Sequence, residues 1–343
     1  KHFTGWYQVG FSILSSLIIF CFIKWEMSLW GGGYSHYAVV LLGFICLDIA
    51  HKYYLDARTS SKTDKYFLPL YAIMSTVAIL ETTSYFLPFQ VSLVFILLIN
   101  YILFRNKINL RKWRLVLGTT IVMIIFAFAI NYIAEAYAIK NPYDVYGKVN
   151  VSQNIGGSFN KIITDPGFVF KFFLVANAGT LIDKDSYATG AWAREVMPYL
   201  GFVMLCLYAW AIYIFIKQRK IEATTAVNLI VYTVILYGTI LIARMGFGDV
   251  YYGGSSRYTA ATFSGILGLA TFFLLLLDSN KIKTVSKKAI YIAPLILIVI
   301  CTLIVYKNQW QIAPYRQESY RKMAENLKSN TDLESIMAYN TDI

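Results

Sequence analysis

Residues 89–138 read FQVSLVFILLINYILFRNKINLRKWRLVLGTTIVMIIFAFAINYIAEAYA. Two apolar runs, 89–104 and 115–138, flank a connection that carries Arg105, Lys107, Arg111, Lys112 and Arg114. A membrane span needs about 20 mostly apolar residues, and positive charge gathers in loops on the cytoplasmic side. The stretch therefore reads as two consecutive transmembrane helices joined at the cytoplasmic face.

The pattern repeats. Further spans are expected near 5–23, 35–50, 66–86, 197–216, 223–243, 258–277 and 289–305, about nine in all. The span at 35–50 is short and holds Asp48, so it is expected to tilt or to pack inside protein. Basic clusters recur in every second connection. Lys52, Arg58, Lys62 and Lys65 follow the second span; Lys217, Arg219 and Lys220 follow the sixth; Lys281, Lys283, Lys287 and Lys288 follow the eighth. The four clusters agree on an orientation: N-terminus cytoplasmic, C-terminus extracytoplasmic, in a multi-pass protein of the cell membrane. The expected fold class is all-α, a polytopic transmembrane helical bundle over residues 1–305. An extracytoplasmic tail, 306–343, reads as one or two small amphipathic helices.

Composition agrees. Of 343 residues 57% are hydrophobic and only 15% charged, with a mean hydropathy of +0.54. Soluble domains average roughly 25% charged residues. The net charge of +12 invites a nucleic-acid reading, but the bases lie in short clusters between apolar runs. The lipid bilayer is the expected partner, and nucleic acid is not. Cys21, Cys46, Cys206 and Cys301 each sit in an apolar run without ligand spacing, and read as small packing residues. With only His2, His36 and His51 besides, no metal or haem site is expected.

The opposite face receives 24–34, a tight turn at 87–88, the long segment 139–196, the loop 244–257 and the tail. Aromatics near the span ends, among them Trp25, Trp30, Tyr85, Tyr251 and Trp310, suit an interfacial belt. Within 139–196, the run Phe168–Val175 (FVFKFFLV) is too short to span. Asp165-Pro166-Gly167 and Asn177-Ala178-Gly179 punctuate its ends. It is expected to lie in the interface or re-enter it, lining a cavity with the 244–257 loop. Asp144, Asp165, Asp183 and Asp185 stand near Tyr143, Tyr146, Tyr187 and Trp192. That mixture suits sugar recognition or simply a solvated loop. Asp183-x-Asp185 offers a weak signal for a divalent cation.

The sharpest motif is Ala243-Arg244-Met245-Gly246-Phe247-Gly248-Asp249, then Gly253-Gly254-Ser255-Ser256-Arg257-Tyr258. Glycine lets backbone approach a ligand, and arginine presents a fork matched to phosphate or carboxylate. Arg244 and Arg257, with Ser255, Ser256, Tyr258 and Asp249, form a candidate substrate- and phosphate-binding set at the outer membrane boundary. Alternatively the arginines snorkel to headgroups or pair with Asp249. This motif resembles one in bacterial polytopic proteins similar in layout to GT-C glycosyltransferases, which use polyprenyl-phosphate sugars. FVFKFFLVANAGTLID and YLGFVMLCLY resemble the same proteins, so the likeness covers roughly the last half of the chain. The resemblance implies an integral membrane enzyme of envelope polysaccharide biosynthesis, with a polyprenyl-phosphate-linked sugar and a glycan acceptor as partners. It also implies an acceptor-side carboxylate in the first external loop, where Glu26 stands without a paired acid. Ser255-Ser256-Arg257 resembles, more weakly, a run in O-antigen polymerases and ligases.

Ionisable residues inside spans are functional candidates. Glu81 and Glu135 project to the depth expected for Arg244 and Arg257. Each is either a structural partner of an arginine or, with Glu26, a candidate catalytic base for a sugar hydroxyl. Asp48 and His51, three apart, are expected to form a polar pair on one helix face near the cytoplasmic end. Polar residues otherwise gather at one depth, with few near mid-membrane, and no internal repeat is evident. Both points weigh against a transporter or flippase. A non-catalytic scaffold that docks a membrane protein partner through the tail fits the residues as well. No Walker loop, GxSxG or HExxH occurs.

Overall fold

The computed structural model describes residues 5–19, 33–55, 64–140, 160–182, 192–244, 248–254, 256–278 and 285–328. It is an all-α bundle, with no strand among the described residues. The elements are α1 (Gly5–Ile19), α2 (Gly33–Leu55), α3 (Asp64–Phe104), α4 (Leu110–Lys140), α5 (Pro166–Ala178), α6 (Trp192–Gln218), α7 (Thr224–Arg244), α8 (Ser256–Asp278) and α9 (Val285–Lys328). Every expected span falls on one of them. Among the described residues six helices are long and apolar enough to cross a membrane, and three more apolar ones are shorter.

The surface is apolar and part of the interior is polar. Ile121, Val122, Ile125 and Phe128 of α4 are exposed, as are Phe95, Leu98 and Ile102 of α3 and Ile296, Ile300 and Leu303 of α9. Gln90, Asn100, Asn177 and Asn228 are fully buried. A water-soluble protein does not carry that much contiguous exposed hydrocarbon, whereas a bilayer makes it the favoured surface. The helices divide by position. Only 17% of the α4 span is buried against 61% of the α7 span, so α4 lies at the periphery and α7 at the centre. Cys46 and Cys301 are buried packing residues as expected, while Cys206 is exposed on α6.

α3 needs a closer look. A helix rises about 1.5 Å per residue, so positions 19 apart on a straight one stand roughly 28 Å apart. Yet the Tyr71 hydroxyl donates to Gln90 Oε1 at 2.7 Å, and Gln90 Nε2 donates to Ser75 Oγ at 3.2 Å. The helical run therefore doubles back on itself. The midpoints of the pairs 71/90 and 75/90 fall at residues 80–83. The sequence expectation of two adjacent spans holds, but the reversal comes before the turn expected at 87–88, and Glu81 sits at its tip. Pro88, offered as the turn, is buried inside the second limb. Thr120 of α4 completes the staple, 2.8 Å from the Tyr71 hydroxyl. Gln90→Leu would take one hydrogen-bond partner each from Tyr71 and Ser75 in an apolar interior. It is expected to cost about 1–3 kcal/mol, read as a lowered melting temperature in detergent with the helical content unchanged.

Contacts between the ends of helices bring the basic connections together. The backbone N–H of Asn109 donates to the Tyr54 carbonyl at 3.0 Å, while its side chain accepts from the Lys112 N–H and caps α4. His51 Nδ1 is 3.0 Å from Thr225 Oγ1, Phe104 packs edge-on against Phe215, and Tyr291 stacks on Trp210. The starts of α4, α7 and α9 and the ends of α2, α3 and α6 thus share one end, the basic end. Arg219 closes α6 there in the left-handed region at φ 50, with its N–H bonded to the Phe215 carbonyl. In α9 the helix continues from the last span into the tail as far as Lys328. Beyond the span its face carries Glu318 and Glu325, both bonded to Arg321. That guanidinium holds the Glu318 carboxyl below its ordinary range.

Candidate functional site

The other end of the bundle is organised by α5. Pro166 at its first turn pre-sets the backbone, and the Asp165 carboxylate accepts the Phe168 N–H at 3.0 Å. It stops at Gly179, whose N–H returns to the carbonyls of Val175 and Ala176. At 13 residues it reaches about 20 Å, short of a crossing. Phe172 and Leu174 through Ala178 are buried against α6, α7 and the 3₁₀ turn Val250–Gly254. The expected short helix is therefore present and packs on the Val250–Gly254 turn.

Glycines make that junction possible, and not in the way expected. A methyl built on Gly254 would lie 2.7 Å from the Met197 methyl, and one on Gly253 would lie 2.9 Å from the Phe172 ring. One on Gly179 would come 2.8 Å from the Gly254 Cα. On Gly201 it would strike the Leu174 carbonyl of α5. Gly253 and Gly254 are thus occupied in packing the turn onto α5 and α6 and are not free to receive a ligand. Gly248, at φ +80 with open space around it, is where the loop turns.

A cationic cluster lies on this junction. The Tyr251 ring has the Arg194 guanidinium 5.0 Å from its centroid and the Lys171 ammonium at 5.8 Å. Its hydroxyl donates to the Arg194 carbonyl at 3.3 Å. Lys161 stands 3.9 Å over the Phe168 ring just before it. Asp249 is exposed, and its Oδ1 accepts the Tyr251 N–H at 2.9 Å, which fixes the ring's approach. Cation–aromatic contacts of this kind hold positive charge in place. Exposed Phe170 on α5 keeps an apolar flank beside the charges.

The sequence-derived candidates fall as follows. Asp249 belongs to this junction, and Tyr258 is buried at the start of α8 immediately after it. Arg244 closes α7, while Ser256 and Arg257 open α8; their side chains lie outside the described part of the structure, as does Ser255. Glu26, Asp183 and Asp185 lie outside the described residues, and Glu135 is placed on α4 without its side chain. Glu81 is exposed at the tip of the α3 reversal. Asp48 and His51 do not form the expected pair. Asp48 is exposed and bonded to Lys52 at 2.6 Å, while His51 is buried against α7. Three residues turn a helix by about 300°, enough to send one side chain outward and the other inward.

Lys171 and Arg194 were not anticipated. The available signal was Lys171 itself, a single base inside the apolar run FVFKFFLV, where local pattern and charge disagree. Sequence reading also missed the buried polar side chains at mid-depth. Gln90, Asn228, Thr233 and Ser264 are all fully buried there.

No family model, curated protein or solved structure matches this chain. What fold and surface define is the class: an all-α, multi-pass membrane protein.

Proposed function

We propose that this chain is an integral membrane glycosyltransferase-like protein of envelope glycan assembly. It takes a polyprenyl-phosphate-linked sugar at the end of the bundle opposite the basic connections. The observation that carries this reading is the cluster of Lys171 and Arg194 around Tyr251, placed where the positive-inside rule disfavours cations. Fixed cations beside an apolar flank suit a phosphate attached to a hydrocarbon chain. Arg244 and Arg257, on the two helices that flank the 250–254 turn, would share that phosphate. The sugar's anomeric carbon would be attacked by an acceptor hydroxyl, with the lipid phosphate as leaving group. A carboxylate takes the hydroxyl proton, and Glu81 and Glu135 are the candidates on this end. In this reading the basic end faces the cytoplasm.

Native mass spectrometry of the chain with undecaprenyl phosphate tests the reading. Binding is expected to fall about tenfold in Lys171→Ala and in Arg194→Ala, each removing a charge-assisted contact worth roughly 1.5–3 kcal/mol. Equal binding by the variants, with unchanged melting temperature, would leave the chain a scaffold. Orientation is tested separately. Single cysteines at Lys62 and Ser329, in cysteine-depleted protein, are expected to label from opposite sides of the membrane.

A further inference from the structure

The connection between α3 and α4 carries Arg105, Lys107, Arg111, Lys112 and Arg114, and no Asp or Glu occurs anywhere between Glu81 and Glu135. The other basic connections each hold an acid close by: Asp56 and Asp64 in one, Glu222 and Asp278 in the others. Lys52 is bonded directly to Asp48. Among the described residues no carboxylate pairs with Arg105, Lys107, Arg111 or Arg114. Of the four basic connections, this one leaves the most positive charge for a partner from outside the chain.

Aromatic contacts fix where those charges stand. Trp113 Nε1 donates to the Leu97 carbonyl at 3.0 Å, and the Tyr101 ring stacks on Trp113 with centroids 5.0 Å apart. The Arg105 guanidinium lies 5.6 Å from the Tyr101 ring, and the Lys112 ammonium lies 5.1 Å from the Tyr53 ring of α2. Lys112 is thereby turned toward the bundle. Arg111 and Arg114 are exposed on the other side of α4. At about 100° per residue they share one arc of roughly 100° with Gly118, Ile121, Val122 and Ile125, facing away from Trp113 and Thr120. Ile121, Val122 and Ile125 are exposed, and a methyl built on Gly118 would meet nothing within 4 Å. The two arginines therefore stand at the foot of an apolar outward stripe that is notched at Gly118.

We propose that the outward face of α4 from Arg111 to Ile125 binds an anionic phospholipid. Its headgroup phosphate sits between Arg111 and Arg114, and one acyl chain lies over Gly118 along Ile121, Val122 and Ile125. The lengths agree. Arg114 to Ile125 is about 16 Å of helix rise, close to the half-thickness of the hydrocarbon core, about 15 Å. The charges agree as well. Like charges three residues apart on a helix repel, and a phosphate between two guanidinium forks removes that repulsion while bonding to both. A zwitterionic headgroup brings a cation of its own, which Arg105 and Lys107 oppose. This site is at the opposite end of the bundle from Lys171 and Arg194 and stands apart from any reading of that cluster.

The test titrates the delipidated chain in detergent with phosphatidylglycerol and, separately, with phosphatidylcholine of the same acyl chains, and counts bound lipid by native mass spectrometry. Phosphatidylglycerol is expected to bind about tenfold more tightly, the worth of one to two cations at a membrane surface. Arg111→Gln combined with Arg114→Gln is expected to erase that preference while the lipid-free melting temperature stays unchanged, since both side chains are exposed. Lys65→Gln combined with Lys217→Gln removes the same charge from elsewhere on the basic end and is expected to keep the preference. Gly118→Leu fills the notch and is expected to weaken phosphatidylglycerol binding although every charge remains. Equal affinity for the two lipids in the wild type overturns the proposal. So does a preference that survives the arginine pair, or one lost equally in the lysine pair. Displacement of phosphatidylglycerol by inorganic phosphate at matched concentration, or unchanged binding in Gly118→Leu, would reduce the face to a simple anion site and overturn it too.

Discussion

Gly201→Ala is expected to leave little folded protein, although the substitution adds only a methyl group. In most helix interiors Gly→Ala is favourable by roughly 0.5–1 kcal/mol. Here the new Cβ would collide with the Leu174 backbone carbonyl of α5, which cannot rotate away as a side chain does. The helix α5 must shift off α6, and Phe172, Val175 and Ala178, now buried, lose their contacts together. Overpacking commonly costs about 1–3 kcal/mol. A backbone collision at the centre of a helix pair belongs at the top of that range or above it. The expected result is a fall in melting temperature of roughly 10 °C in detergent, with much reduced yield. Gly118→Ala supplies the control, since nothing lies within 4 Å of its added methyl. A Gly201→Ala protein as stable as the Gly118→Ala protein would mean that α5 does not dock where described.

On the transferase reading proposed above, Arg257→Lys is expected to abolish most sugar transfer while keeping the charge. The ammonium is a point donor, whereas the guanidinium offers a planar fork matched to a phosphate. Losing one of two charge-assisted bonds in a reaction that develops charge on the leaving phosphate is expected to slow turnover about 10²-fold. The measurement is transfer of a radiolabelled sugar from a polyprenyl-phosphate donor, with the melting temperature followed in parallel. Were Arg257 instead paired with a protein carboxylate such as Glu81 or Glu135, Arg257→Ala would lower the melting temperature markedly. A matching carboxylate-to-amide change would then partly restore it. Unchanged activity and stability in both variants would remove Arg257 from the site.

How far the sequence reaches depends on the kind of signal. Span positions were legible because a bilayer imposes one length and one polarity on every crossing, and runs such as 115–138 satisfy both. The shortness of Phe168–Val175 was legible for the same reason. The reversal in α3 was displaced from its expected place because Pro88 is a strong breaker by local rules, while the fold buries it inside a limb. The two roles of Asp48 and His51 turned on 60° of helix rotation, which spacing alone does not resolve. Gly253 and Gly254 look the same in sequence whether they cradle a ligand or admit a neighbouring helix, and only the packing of Phe172 and Met197 decides between these uses. The buried polar side chains were invisible because Gln90, Asn228, Thr233 and Ser264 are scattered over α3, α7 and α8, each inside an otherwise apolar span.

The doubled α3 bears on how the protein is made. Its first limb brings Tyr71 and Ser75, and its second brings Gln90; each set finds hydrogen bonds in the other. Released singly into lipid from the insertion machinery, the second limb would expose an amide to hydrocarbon, an arrangement costing several kcal/mol. Delivered as a closed pair, the limbs hide Tyr71, Ser75 and Gln90 from lipid in each other. Residues 64–104 should therefore leave the translocation channel as one object, the first limb waiting at its lateral gate until Gln90 has been synthesised.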